Sequence, residues 1–498
     1  MKRIYIIAVA AVSALFILPA CNKNWLSPDV QGQVSTSDTT FNNPANATKF
    51  VNACYTQLLN WDVSSFGWIG LTSITSDDAD KGSSPGDVGS DKDLMDAITY
   101  TATASSVSSV WSGYFRGVAY CNQALFYLPQ FTIADNVRQQ YQAEARFLRA
   151  YYYFTLVRAF GDLPLVDTVI NALSEAGRVK LNTRVSKDSI YALIESDLRF
   201  AISVLPTRDQ QAAGDVGRAT KGAATGLLAK VSLYEKKWQQ ALDLTNQIIQ
   251  GGVGTYSLVN DYTTIWREVG ENSQESLFEI QSKSTTPYAA VQQYSEVQGI
   301  RGATFNVTNV FTGWGFNTPS GNLDSAYEAG DIRKKSTIIH IGDTLFDDVI
   351  IKTAENARYN YKAYPSNTAE TYGGNAQYSN KNIRVLRMGD IYLINAEAAN
   401  ELGTGTAVTS LNAVRNRAKL GNTSAATQAD IRNAIWKERR VELAMEHDRF
   451  FDLVRQGRAG TVLRALGKSF VDGKNELFPI PQQEIDASGN LLRQNPGY

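Results

Sequence analysis

Histidine is the scarcest chemically versatile residue in this sequence. The 498 residues include 2 histidines, His340 and His447. Imidazole is a frequent zinc ligand and the general base of Ser-His-Asp triads. A histidine-rich zinc site is therefore excluded, and a triad could use only these two residues.

An excess of charge of either sign is also absent. The chain has 48 Lys and Arg against 49 Asp and Glu, a formal net charge of -1. Nucleic-acid binders carry an electropositive surface, and polybasic segments mark proteins held at anionic membranes. We therefore predict no nucleic-acid partner. Hydrophobic residues make up 43% of the chain, which is enough for a large folded core.

The N-terminus carries an apolar run, Ile4 to Leu18, preceded by Lys2 and Arg3. The run is shorter than the about 20 residues of a membrane span. A short basic segment followed by such a run is typical of a secretory signal peptide. We predict that residues 1–20 are a signal peptide.

The end of this signal has the sequence Leu18-Pro19-Ala20-Cys21, which resembles a bacterial lipoprotein cleavage site. In such proteins the cysteine thiol carries diacylglycerol and the new N-terminus is acylated. The alternative is an ordinary signal peptide followed by a chance cysteine. We favour lipidation of Cys21, with residues 21–43 as a polar tether leading into the fold.

Cysteine is nearly absent from the rest of the chain, since only Cys54 and Cys121 remain of the 3 residues. Both lie among apolar residues with helical spacing. An envelope location permits a disulfide. We favour two buried free thiols, because unpaired cysteine behaves as a small apolar residue.

Helical periodicity dominates both ends of the chain. Apolar residues recur at helical spacing from Pro44, from Val110 to Leu125 and from Tyr141 to Leu156. The last of these patterns ends at Gly161 with Pro164 close behind, a helix stop signal. A further helix is predicted over 186–205, and helices return over 383–458.

Two helix pairs have the small-residue spacing of tetratricopeptide units. Leu228-Ala229 is followed by Ala241, and Ala396-Glu397-Ala398 by Ala407. Such units bury their faces by stacking on neighbours. We predict one domain over 44–498, with a helical scaffold at 44–251 and 381–498.

The helical pattern fades over 252–380, where Gly, Asn, Thr, Tyr and Trp are frequent. Short strand-like runs lie at 276–280, 336–341 and 349–352. A long irregular segment inside a compact protein is usually functional. A second loop-like segment is predicted over Trp61 to Gly89. The fold class is mainly α, with a loop-rich mixed region that binds the ligand.

Five ordered sequence blocks, together with the lipoprotein signal, resemble the SusD/RagB family. They are Glu144-Ala145-Arg146-Phe147-Leu148-Arg149-Ala150 with Phe160-Gly161-Asp162-Leu163-Pro164; Arg387-Met388-Gly389-Asp390 to Ala398; Glu438-Arg439-Arg440-Val441-Glu442 with His447-Asp448-Arg449-Phe450; Phe478-Pro479-Ile480-Pro481; and Asn495-Pro496-Gly497-Tyr498.

The resemblance implies a tetratricopeptide-like scaffold and a protein without enzymatic activity. It implies a lipid-anchored position at the cell surface, on the outer membrane, and capture of a glycan for nutrient uptake. It further implies delivery to a TonB-dependent transporter of the SusC type. A peptide or glycopeptide ligand is an open alternative, and a glycoside hydrolase is the runner-up class.

Charged residues crowd the stretch from Glu438 to Arg449. They could be interpreted as an active site, but we interpret them as a structural network of ion pairs. Asp77, Asp78 and Asp80 could bind Ca²⁺ through clustered oxygens. However, Gly82 and Gly89 occupy positions where a calcium loop needs ligands. We predict no cofactor and no metal site.

Candidate ligand-binding residues come from the loop-like segments, because aromatic rings stack on the apolar face of a pyranose and polar side chains bind its hydroxyls. The chain has 24 Tyr, 20 Phe and 8 Trp. The resemblance places sugar binding by region only. The candidates are Trp68, Asp77, Asp78, Asp80, Lys81, Tyr288, Trp314, Phe316, Asn317 and Tyr372.

Overall fold

The structure is a computed structural model that describes residues 41–285, 293–374 and 378–498. Helices form most of it. In chain order they are α1 Pro44–Thr56, α2 Trp61–Ser64, α3 Phe66–Ile69, α4 Lys92–Ala97, α5 Ser105–Tyr127, α6 Asp135–Phe160, α7 Glu175–Asn182, α8 Lys187–Val204, α9 Lys221–Tyr234, α10 Trp238–Ile249, α11 Tyr294–Gln298, α12 Gly321–Asp324, α13 Met388–Glu401, α14 Ala407–Arg417, α15 Gln428–Glu442, α16 Arg449–Arg455, α17 Ala459–Ala465 and α18 Gln482–Ala487.

The strands are short and form two-stranded antiparallel sheets. They are β1 Ala79–Gly82, β2 Leu163–Pro164, β3 Arg184–Val185, β4 Ser276–Ile280, β5 Thr304–Phe305, β6 Phe316–Pro319, β7 Ile338–His340, β8 Ile351–Thr353, β9 Arg358–Asn360 and β10 Ile383–Arg387. The pairs are β1 with β6, β2 with β3, β4 with β10, β5 with β8 and β7 with β9.

The scaffold consists of helices that pack against helices close to them in sequence, chiefly α5 on α6, α6 on α8, α9 on α10 and α13 on α14. The two predicted repeat units stack on each other through α10 and α13. Ala229, Ala241, Ala398 and Ala407 are all buried in one cluster at this contact. Small side chains there let the helix backbones approach closely. The predicted tetratricopeptide-like scaffold is confirmed.

Helix ends follow local signals in the sequence. Gly161 ends α6 with φ of 73°, a value that favours glycine over other residues. Ser186 starts α8, where its side chain accepts a hydrogen bond from the Ser189 amide. Both boundaries agree with the predicted helices.

The predicted loop from Trp61 to Gly89 is partly wrong. It contains α2 and α3, a π-helical turn at Gly70–Ile74, and then β1. α2, α3 and the π turn pack against α5. Burial of their apolar side chains on this long helix outweighs the weak helix preference of the Gly- and Ser-rich sequence. The strands β4, β7 and β8 lie in or overlap the runs predicted over 252–380.

The loop-rich part is tied to the scaffold by sheets that cross the predicted boundaries. β1 pairs with β6, placing Ala79 opposite Pro319, and β10 pairs with β4, placing Ile383 opposite Ile280. The division at 252–380 stays a prediction. In the described part of the chain, no helix is long and apolar enough to cross a membrane.

A buried ion-pair network joins the C-terminal helices to the rest of the molecule. Arg387 contacts the carboxylates of Glu275 and Glu442, and Glu442 also receives Arg333 at 2.9 Å and Arg417. These arginines hold the pKa of Glu442 well below its usual value, although burial alone would raise it. These ion pairs agree with the structural network that the sequence interpretation proposed for the charged residues of this region.

Cys54 on α1 and Cys121 on α5 are both buried free thiols. The Cys54 thiol donates to the Phe50 carbonyl at 3.4 Å. Burial raises the pKa of the Cys121 thiol. The structure therefore has these cysteines in the unpaired form that we favoured from sequence.

Candidate functional site

Partly exposed aromatic side chains from distant parts of the chain meet at the surface. Trp61 and Phe66 come from α2 and α3, and Trp314 comes from the loop before β6. The ring centroids of Trp61 and Phe66 lie 5.6 Å apart, and that of Trp314 lies 5.9 Å from each. We call these three residues the aromatic patch. Phe316 is buried behind it, with its ring centroid 4.9 Å from that of Phe66.

The loop that carries Trp314 is held by close backbone contacts. The Trp314 amide donates to the Glu296 carbonyl and the Gly313 amide to the Ile300 carbonyl, each at 2.9 Å. A Cβ atom on Gly313 would lie 2.0 Å from the Glu296 carbonyl oxygen, so only glycine fits there. Gly315 has a φ of 75°, which also favours glycine. The flanking glycines therefore fix the path of the loop.

A buried lysine supports the patch from behind. The Lys92 Nζ atom lies 3.9 Å from the centroid of the Phe66 ring, a cation–π contact. The same ammonium group donates to the Asp91 carboxylate and the Ser106 hydroxyl, each at 2.8 Å. Burial lowers the pKa of Lys92, and the charge of Asp91 opposes this shift. The paired lysine anchors Phe66 from the inside.

One flank of the patch is polar and partly exposed. Arg301 Nη1 donates to the Ser83 hydroxyl at 3.0 Å, to the Asp87 carboxylate at 3.2 Å and to the Trp314 carbonyl at 3.4 Å. Arg301 Nε lies 3.0 Å from a Glu355 carboxylate oxygen. Slight burial raises the pKa of Asp87, but hydrogen bonds from Ser83 and a backbone amide and the charge of Arg301 lower it overall. These groups could bind sugar hydroxyls.

The other flank is built by the start of α2. The Asn60 side chain accepts a hydrogen bond from the Asp62 amide at 3.0 Å and so caps the helix. The Asp62 carboxylate lies 3.9 Å from Arg116. Sequence reasoning missed Trp61 and Phe66 as site residues. An N-cap residue followed by an acidic residue in the first turn was the signal that could have located this helix.

Trp68 lies in the interior, where its ring centroid is 4.0 Å from that of His447. His447 Nδ1 is 3.1 Å from the Thr72 hydroxyl, and Nε2 is 2.9 Å from the Tyr294 hydroxyl. Because Thr72 donates to the Trp68 carbonyl, Nδ1 carries the imidazole proton and Tyr294 donates to Nε2. Burial lowers the pKa of His447 to about 3, so its ring is neutral. Ligand binding by Trp68 stays a prediction.

Asp77 and Asp78 connect the predicted loop to the C-terminal helices. Arg449 binds both carboxylate oxygens of Asp77, at 2.7 and 2.8 Å. Arg440 Nε donates to Asp78 at 2.7 Å. Burial favours a higher pKa for Asp77, but the hydrogen bond and charge of Arg449 outweigh it, so the pKa of Asp77 is lowered overall. For Asp78, burial dominates and the pKa is raised. Both carboxylates are buried. Their binding of sugar hydroxyls stays a prediction.

The calcium alternative has no support from this geometry, because Asp77 and Asp78 face arginines. Across residues 41–285, 293–374 and 378–498, no group of three or more His, Cys, Asp or Glu side chains is placed to hold a metal ion. The predicted lack of a cofactor stays a prediction.

Asp80 lines two adjoining clefts of about 380 and 310 Å³, and Lys81 lines the smaller one. Asp80, Asp93 and Asp96 border both clefts. Burial and the nearby Asp96 raise the pKa of Asp80. The Lys81 ammonium lies 2.9 Å from Asp93 and donates to the Asp87 carbonyl at 2.7 Å. The smaller cleft, which Ser83 also lines, therefore adjoins the polar flank of the patch.

The remaining predicted residues have different surroundings. Asn317 is buried on β6, where its side-chain amide donates to Gln298 at 2.7 Å. Tyr372 is half-buried and pairs with Ser379 through an isolated bridge. Tyr288 lies outside the described residues. Of the predicted set, the structure brings Trp314 and Phe316 to the patch, and the ligand-binding roles of all of them stay predictions.

The fold and the patch define a class of protein: a helical-repeat scaffold that holds a partly exposed aromatic surface. The family model described as "SusD family" matches residues 250–498, half of the chain. A second model, described as "Starch-binding associating with outer membrane", matches residues 29–233. The chain belongs to the SusD family.

Similar proteins of known name agree with this assignment. SusD-like protein P2 of Formosa agariphila is 28% identical over 420 residues, which cover 79% of this chain and 81% of that protein. The solved structure of a laminarin binding SusD-like protein has a TM-score of 0.79 and 28% identity, covering 92% of this chain and 100% of that one. The structure of surface glycan-binding protein A from Bacteroides thetaiotaomicron, in complex with laminarihexaose, has a TM-score of 0.76 and 26% identity. The match covers 91% of this chain and 99% of that one.

Proposed function

We propose that this chain is a lipid-anchored cell-surface protein that captures a glycan at the aromatic patch. The observation that carries the proposal is the cluster of partly exposed Trp61, Phe66 and Trp314 rings on this fold. Solved relatives bind laminarin and laminarihexaose, as their names state. Those glycans are the first ligands to test.

The geometry suits binding by stacking. The apolar face of a pyranose packs against an indole ring, and neighbouring rings can contact successive sugar units. Arg301 and Asp87 on one flank, with Asp62 on the other, supply donors and acceptors for hydroxyl groups. Because Lys92 and the glycine-bounded loop fix the rings before binding, little conformational entropy is lost when the ligand arrives.

We propose that the glycan is then delivered to a TonB-dependent transporter of the SusC type. Lipidation at Cys21 would hold the protein on the outer membrane, beside a transporter in the same membrane. Tethering of both partners to one surface raises their effective concentration, so a modest interface suffices.

We propose no catalysis. A glycosidase needs a pair of free carboxyl groups across the scissile bond. At the patch, Asp87 and Glu355 both pair with Arg301, and Asp62 faces Arg116. These carboxylates are arranged to hold a surface and to accept hydrogen bonds.

Replacement of Trp314 by Ala tests the proposal. We expect the affinity for a bound glucan, measured by isothermal titration calorimetry, to fall by about 1–3 kcal/mol, as for a central aromatic anchor. Trp436→Ala is the matched control, because this half-buried tryptophan packs under Arg458 on the scaffold. A lower melting temperature with unchanged affinity in Trp314→Ala would instead identify Trp314 as a packing residue only.

A further inference from the structure

The charged side chains beside the aromatic patch bear on which glycans it accepts. On one flank, Arg301 lies between two carboxylates, Asp87 at 3.2 Å and Glu355 at 3.0 Å. On the other, Arg116 lies 3.9 Å from Asp62. The carboxylates on these flanks outnumber the guanidinium groups.

The lysines near the patch are paired as well. Lys92 behind Phe66 is 1% exposed and bound to Asp91 at 2.8 Å. Lys81 lies 2.9 Å from Asp93. Within the described residues, each of the arginine and lysine side chains named at the patch therefore has a carboxylate partner.

From this arrangement we infer that the patch accepts neutral glycans and discriminates against those that carry carboxylate or sulfate groups. The inference rests on the proposed function and adds the substrate class. An anionic sugar on the rings would meet the Asp87, Glu355 and Asp62 carboxylates at close range. To gain a cation it would have to displace one of these carboxylates from its arginine, and the displaced group would remain nearby.

Neutral hydroxyl groups meet no such obstacle. The Asp87 carboxylate already accepts hydrogen bonds from Arg301, the Ser83 hydroxyl and the Gly89 amide, which leaves about one of the four acceptor positions of a carboxylate for a sugar hydroxyl. The Glu355 carboxylate, which contacts Arg301, can accept hydroxyl hydrogen bonds as well. The ion pairs stay intact while the sugar binds. The same contacts that repel an anion therefore orient a neutral ligand.

The test compares glycans that share a backbone and differ only in charge. Full-length protein in detergent is titrated with laminarin and with carboxymethylated and sulfated laminarin, and affinity gels extend the comparison to starch, xylan, mannan, alginate, polygalacturonate and carrageenan. We expect the charged derivatives of a bound polysaccharide to bind at least about tenfold more weakly at low salt, with the difference shrinking as salt screens it.

A charge variant sharpens the test. Glu355→Gln removes one carboxylate from the flank and leaves Arg301 paired with Asp87. The ratio of affinities should then shift towards the charged derivative by about threefold, as expected for one unit charge about 6 Å away in a medium like water. Glu175→Gln on α7 is the control, because it makes the same change in net charge at a side chain that is 75% exposed.

The outcomes separate this inference from the proposal beneath it. If neutral polysaccharides bind and their charged derivatives do not, the result supports both glycan capture and the charge inference. The charge inference is overturned, while glycan capture stands, if alginate, polygalacturonate or carrageenan binds as tightly as the neutral polysaccharides. It is also overturned if the ratio of neutral to charged affinities is the same in Glu355→Gln as in Glu175→Gln. If no polysaccharide of either class binds, the proposed function fails and the inference falls with it.

Discussion

Replacement of the buried His447 by Gln should remove a defined part of the pH dependence of stability. In the folded chain the imidazole lies between the Thr72 and Tyr294 hydroxyls and against the Trp68 ring. Burial lowers its pKa to about 3. In the unfolded chain the pKa returns to about 6.5. At mildly acidic pH the unfolded state therefore binds a proton at this imidazole, whereas the folded state does not.

The sign and size of the effect follow from this difference. A lowered pKa in the folded state contributes stability that is fully present above about pH 6.5 and is lost as the pH falls towards 3. Between about pH 7 and pH 5 the loss is about 2 kcal/mol, and the complete shift corresponds to about 5 kcal/mol at about 1.4 kcal/mol per pKa unit.

A second group, the carboxyl of the partly buried Glu271, titrates in the same pH interval and affects stability with the opposite sign. Burial raises the pKa of Glu271 to about 7. Its contribution to stability therefore grows as the pH falls from 7 towards the unfolded value of about 4.3. The raw pH trend of the wild-type protein mixes both effects, so the informative quantity is the difference between wild type and variant.

The assay is urea unfolding followed by tryptophan fluorescence at about pH 7 and pH 5. Gln at position 447 can still donate to Thr72 and accept from Tyr294, but it does not titrate. As the pH falls from about 7 to about 5, we expect the free energy of unfolding of the wild type to decrease by about 2 kcal/mol relative to that of His447→Gln. Equal changes in the two proteins would refute the assignment of a neutral, buried imidazole.

Two further predictions concern the anchor and the partner. Cys21→Ala should leave the melting temperature unchanged but move the protein out of the membrane fraction and abolish palmitate labelling; membrane attachment in the variant would contradict lipidation at this site. Affinity purification through a C-terminal tag, in mild detergent from glycan-grown cells, should recover a larger outer-membrane protein in near-equal amount. Recovery of this chain alone in several detergents would count against a stable transporter complex.

The scaffold was predictable because its signals are local. A helix can be recognised within a window of about a dozen residues from the spacing of its apolar residues and from its end signals. Gly161 and Ser186 mark real boundaries, and Ala229 and Ala398 occupy the buried positions that their repeat spacing indicates. None of these features depends on a distant part of the chain.

The aromatic patch was predictable only in part, because it is assembled from distant segments. Trp314 stood out through its flanking glycines. Trp61 and Phe66 lie in a Gly- and Ser-rich stretch whose short helices depend on packing against α5. Nothing local to Phe66 indicates that the Lys92 ammonium lies 3.9 Å from its ring. Likewise, Trp68 appeared to be a loop residue until its contact with His447 placed it inside.

The link from Asp77 to Arg449 has a consequence for how the protein matures. These residues are 372 positions apart, and Lys468 reaches back 394 positions to donate to the Ile74 carbonyl at 2.8 Å. Contacts between such distant residues form late, because a long loop must close first. The segment that carries Trp61 and Phe66 can therefore form its contacts with Arg449 and Lys468 only when the C-terminal part of the chain is present. A chain truncated before Arg449 would contain every ring of the surface but lack the ion pair that locks their neighbourhood in place.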